Sequence, residues 1–177
     1  HYHADHIGYA AAVFAQHPLT GVAYDRGHAY PTDEHPGEYF VAYRGAVDGK
    51  RIEAKAGDSF KLDGDAEHSV VIRFVAVNGN GLATENENDL SFVAVIEHAG
   101  FRAEIGGDLS GEDTPRSASS TRYRDIETSV ADLVGEIDLY KVHHHCSAYS
   151  TNETWLSKTK PNVAVISVGN GDRYGHP

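Results

Sequence analysis

Between residues 38 and 105 lie five short β-branched or aromatic segments, each followed by Gly, Asn or Asp turn signals, at 38–44, 58–62, 69–77, 91–97 and 101–105. Five strand-length segments in series, each closed by a turn, predict a largely antiparallel sheet. The flanking sequence reads as helix and buried strand. Residues 6–16, HIGYAAAVFAQ, are Ala-rich with apolar residues at helical spacing and are stopped by Pro18 and Gly21, so a helix is expected there, with a loop over 21–36. Residues 122–137 carry Ile126, Val130, Leu133 and Val134 on one helical face and acidic residues on the other, a helix suited to covering a sheet. Residues 139–142 and 163–168 read as buried strands flanking a helix over 152–160 that Pro161 ends. The whole is an α/β plan with helices packed on sheet faces. No internal repeat is present, and the one low-complexity stretch is the Ser-rich, Arg-flanked loop 114–121.

Composition removes whole classes of function. A chain of 177 residues, 40% hydrophobic and 23% charged, has the make-up of one globular domain. Its longest apolar runs, such as 91–96, are strand-length and fall far short of the roughly 20 residues a membrane span needs. The net charge of -11 argues against an extensive electropositive nucleic-acid surface. An acidic protein can still act on a phosphodiester through locally bound cations. The single cysteine, Cys146, forms no internal disulfide and leaves an extracytoplasmic or a cytoplasmic setting equally open, as is the oligomeric state. The chain opens at His1 and closes on the loop-like Tyr174, Gly175, His176 and Pro177, so a domain fragment truncated at both ends and lacking its first strands is expected.

Chemistry is concentrated in the histidines. Six of the twelve fall in two clusters, His1, His3 and His6 at one end and His143, His144 and His145 near the other. The first forms His-x-His-x-Asp-His directly before a predicted helix, so a tight turn can aim His1 and His3 at one cation and Asp5 and His6 at a second. Imidazole and carboxylate are ligands that zinc, manganese and iron all accept. The second cluster follows an apolar strand, and His144 is the ligand chosen from it. Between them, Gly106 and Gly107 precede Asp108 in a turn, where glycine lets backbone approach a cation closely.

Taken in order, the first cluster through Ile7-Gly8, Asn86 to Ser91, Gly107-Asp108-Leu109, Lys141 to Ser147, Val163 to Gly169 and Arg173 to Pro177 resemble the metallo-β-lactamase superfamily. More narrowly they resemble the soluble hydrolase domain of the bacterial competence DNA-uptake channel and its stand-alone relatives. The resemblance implies one domain over 1–177 with a four-layer αββα sandwich and two divalent metal ions, zinc first, with manganese or iron as alternatives. On that pattern His1 and His3 serve one metal, Asp5, His6 and His144 serve the other, and Asp108 bridges both. A di-metal-bound hydroxide would be the nucleophile, with Asp5, Asp108, His145 and His176 as the catalytic set. His145 and His176 would orient a phosphate or protonate a leaving group.

Two positions depart from the pattern. Asn88 stands where many superfamily members place a third histidine for the first metal, and Cys146 stands where the family shows Gly after the paired histidines. A phosphodiester substrate is implied, with Asn88, Arg122 and Arg124 as substrate-binding candidates and Arg116 adding local positive charge. The same chemistry would serve a lactone, lactam or thioester, and a catalytically decayed metal-binding module is the non-enzymatic alternative.

Overall fold

The computed structural model describes residues 1–27, 37–62, 64, 68–114, 122–171 and 174–177. The fold is mixed α/β, built around a six-stranded sheet in which sequence neighbours are also spatial neighbours. Its strands are β3 (Ser59–Leu62), β4 (Val70–Ala76), β5 (Val93–His98), β6 (Phe101–Ile105), β7 (Leu139–Lys141) and β8 (Val163–Val165). β3 to β6 pair antiparallel, as the turn-punctuated sequence predicts, and β7 and β8 then add in parallel. The parallel additions require crossovers. Helices α4 (Ile126–Val134) and α5 (Glu153–Thr159) supply them.

Both faces of the central strands are buried, which explains why 69–77 and 91–97 read as near-continuous apolar runs. Val75, Val93 and Val95 enter one core with Val130, Val134, Tyr140 and Trp155, beneath α4 and α5. Phe74 and Ala94, one residue out of phase, enter a second core with Ala54, Tyr24 and Phe60. Asp125 caps α4 by accepting from Thr128 N–H, and Asn152 caps α5 by accepting from Trp155 N–H.

Three expectations are corrected. Residues 38–44 are not a strand but lie in helix α3 (Glu38–Ala46). Its aromatic and β-branched content suggested a strand, yet Phe40, Tyr43 and Val47 bury together at i, i+3 and i+7 against Tyr2, which is helical spacing. The helix expected over 6–16 is two, α1 (Ala4–Ile7) and α2 (Ala10–Gln16), parted at Gly8 and Tyr9. The segment 163–168 is strand only over Val163–Val165, and that strand is exposed, not buried. Two short strands went unpredicted, β1 (Ala23–Asp25) and β2 (Arg51–Glu53), which pair in parallel across α3.

A buried ionic network fixes the amino-terminal segment. Arg26 donates to both carboxylate oxygens of Glu87 at 2.9 and 2.8 Å, and Tyr2 N–H donates to the same carboxylate at 2.7 Å. The Arg26 guanidinium also lies 4.4 Å above the buried Tyr2 ring. With Tyr2 turned into the core, its neighbours His1 and His3 are directed elsewhere.

Candidate functional site

Asp108 follows β6 and is the hub of the site. Burial would raise its pKa, but hydrogen bonds from His145 and His6 overcome that and hold the carboxyl well below the usual carboxylate range. Its Oδ2 lies 3.1 Å from His6 Nε2, 3.4 Å from His145 Nε2 and 3.6 Å from His1 Nε2. Lys141 Nζ is 3.7 Å from Oδ1. Asp5, at the start of α1, completes the group, its Oδ2 lying 3.0 Å from His145 Nε2 and 3.5 Å from His6 Nε2. One potential ligand atom from each of Asp5, His6, Asp108 and His145 lies within 4.8 Å of the others.

The rings are aimed by their outer nitrogens. His145 Nδ1–H donates to the Ser167 carbonyl at 2.5 Å, which directs Nε2 at the carboxylates. Ser91 Oγ lies 2.8 Å from His1 Nδ1 and accepts the Asp108 N–H at 3.1 Å, so one hydroxyl ties the first histidine to the hub. The Asp108 carboxylate beside it raises His145 to about 9. The same negative field favours a divalent cation.

Gly106 and Gly107 serve tight side-chain packing at this point. A Cβ on Gly107, where φ is +64°, would lie 2.6 Å from Ser91 Oγ and 3.4 Å from His1 Nδ1; one on Gly106 would lie 2.3 Å from both His143 Nε2 and Glu104 Oε1. Gly107→Ala is therefore expected to cost about 1–3 kcal/mol from overpacking and left-handed strain and to displace His1. Chemical denaturation gives the first effect, and a loss below about 0.5 kcal/mol would contradict it.

The three consecutive histidines part ways. His143 is wholly buried between Glu127 (2.8 Å from Nδ1) and Glu104 (3.1 Å from Nε2). Burial lowers its pKa, but the two carboxylates outweigh it and raise the ring to about 9, which favours its charged form in the core. His144 faces Asn88, whose amide nitrogen is 3.3 Å from Nε2, while its buried Nδ1 has no hydrogen-bond partner among the described residues. Burial lowers His144 to about 4. It is His145, not the chosen His144, whose ring joins Asp5, His6 and Asp108. The divergence comes from three left-handed residues in a row, His144, His145 and Cys146, at φ of 46°, 53° and 65°. Such backbone is comfortable for glycine and strained for other residues, Cys146 included. Cys146 packs against the main core.

The remaining candidates distribute around this centre. The His3 ring lies edge-on to His1 at 4.9 Å, and His176 lies 5.8 Å from His144 and 5.7 Å from His145. Asn88 pairs with His144, so its amide is engaged within the site. Arg124 is drawn away to Asp113 at 2.9 Å, whereas Arg122 is exposed. Arg116 and Arg173 lie outside the described residues. Sequence reasoning gave no role to Ser91, Lys141 or Ser167, although all three stand inside quoted motifs.

The donor set fits a divalent metal. Imidazole nitrogens and carboxylate oxygens converge, and three of the buried atoms here, Asp108 Oδ1, His1 Nε2 and His144 Nδ1, have no hydrogen-bond partner among the described residues, which is costly for buried polar atoms left so.

No family model matches the chain. It is similar to ComE operon protein 3 of Bacillus subtilis, 27% identical over 181 residues that take in all of this chain, and to Recombination protein 2 of Haemophilus influenzae, 26% identical over 106 residues, or 60% of this chain. The matched stretches cover 20% and 12% of those two longer proteins. Among the described residues no helix is long and apolar enough to cross a membrane.

Proposed function

We propose that the chain is a metal-dependent hydrolase of phosphodiesters, built on a four-layer sandwich of the metallo-β-lactamase type. The observation that carries this reading is the convergence of Asp5, His6, Asp108 and His145, residues up to 140 positions apart, on one point. Asp5, His6, Asp108 and His145 would hold one cation, with His1, His3 and the shared Asp108 facing a second and His144 beside them. A divalent cation there lowers the pKa of a bound water and stabilises charge developing on the substrate. Ser91 and the Ser167 carbonyl keep the His1 and His145 rings in place. Lys141 offsets the negative charge of Asp108. His176, next to His144 and His145, is placed to hold a phosphate oxygen or to pass a proton to the leaving group. The likeness to a ComE operon product and a recombination protein supports a phosphodiester over a lactone or lactam.

A panel of bis(p-nitrophenyl) phosphate, a single-stranded oligonucleotide and nitrocefin, assayed with the metal-supplemented chain, tests the assignment. Diester turnover should exceed nitrocefin turnover, and Arg122→Ala should raise KM more than it lowers kcat, with Arg124→Ala weaker because Arg124 already pairs with Asp113. Efficient cleavage of nitrocefin with both diesters untouched would overturn the phosphodiesterase reading.

A further inference from the structure

Four aromatic rings run in series along one side of the site. His176 lies 5.8 Å from His144, His144 meets the edge of Tyr123 at 5.8 Å, and Tyr123 stacks on Tyr149 at 4.8 Å with the planes 27° apart. Tyr123 is half-buried and is held at its backbone, its N–H donating to Thr114 Oγ1 at 2.9 Å. Tyr149 ends the row with 42% of its surface open to solvent. Its carbonyl accepts from Gly111 N–H at 2.8 Å and its own N–H donates to Ser147 Oγ at 3.3 Å, so the exposed ring stands on a fixed main chain.

We infer that the stacked pair Tyr123 and Tyr149 is a subsite for an unpaired nucleobase, set beside the histidines so that the attached diester reaches Asp108 and His145. The inference rests on the phosphodiesterase reading above and adds the residues that would recognise its substrate. Charge supports it. With a net charge of -11, the chain is poorly equipped to draw affinity from counterion release along a backbone. Stacking on an aromatic face draws on no positive charge, works for every base, and requires the strand to be single. Exposed Arg122 stands next to Tyr123 in sequence and supplies one cation near the stack.

Fluorescence anisotropy would compare a labelled twelve-residue oligothymidylate with an abasic strand of the same length and charge, on the metal-supplemented chain, with phosphorothioate linkages slowing turnover. The base-bearing strand should bind more tightly. Tyr149→Leu should weaken it about tenfold while leaving the abasic strand unchanged, Tyr149→Phe and Tyr149→Trp should keep the preference, and the ratio between strands should hold as salt rises. Equal binding of the two strands, binding of neither, or a Tyr149→Leu protein that melts like the parent yet keeps the preference would overturn the subsite. Turnover of bis(p-nitrophenyl) phosphate decides separately whether the phosphodiesterase reading stands, so the two failures are distinguishable.

Discussion

Asp108→Ala is expected to lower diester hydrolysis by at least about a thousandfold, the scale of several kcal/mol of lost transition-state stabilisation. Asp108 is the buried carboxylate that contacts His1 and His6 of the first cluster and His145 of the second, and its removal takes away the group that both proposed cations would share. Metal content should fall in the same variant. Its folding should survive, because His6 and His145, which face Asp108, are only partly buried and keep Asp5 as a neighbour. A thermal melt run beside the kinetics separates the two effects. Turnover within a few-fold of the parent would refute the role given to Asp108.

Glu127→Ala should produce the largest stability loss, about 3–5 kcal/mol, the cost of breaking a buried ion pair by deleting one partner. Glu127 is wholly buried on α4 and faces His143, while its two oxygens also accept from Thr151 N–H at 2.7 Å and Asn152 N–H at 2.8 Å. One side chain thus ties α4 to the start of α5 and to the turn that presents His144 and His145. Set against a typical total of about 5–15 kcal/mol, the loss leaves little margin. Glu127→Gln should cost less, since the amide oxygen can still accept one backbone N–H. Urea denaturation of both variants checks the order, and an Ala variant within about 1 kcal/mol of the parent would contradict it.

Local patterns carried most of the fold. Turn residues and β-branched or aromatic content located the antiparallel strands, helical spacing located α4, and Pro161 marked the end of α5, because those signals lie within a few residues of each other. Helix α3 was misread since residue type suggested a strand, although the spacing of Phe40, Tyr43 and Val47 recorded the helix. The two histidine clusters and Asp108 were visible in the sequence as short runs of imidazole and carboxylate, and the fold brings members of both clusters to Asp108. Assigning a role to each of His143, His144 and His145 required partners from afar. Glu104 and Glu127 claim the first, Asn88 the second, and Asp5 and Asp108 the third, at sequence separations of 16 to 140 residues. Side-chain aim in a left-handed turn leaves no periodic trace, and neither does the Arg26 and Glu87 pair beneath Tyr2, 61 residues apart.

Metal content is the most direct test of the central claim. Elemental analysis of the purified chain, followed by stepwise chelation, should find one transition metal retained and a second removed first, because Asp5, His6, Asp108 and His145 offer four donor atoms within 4.8 Å of one another whereas the proposed second site has only His1, His3 and the shared Asp108. Asp108→Ala should hold less of both. A carefully prepared chain that takes up no zinc, manganese or iron would contradict the account.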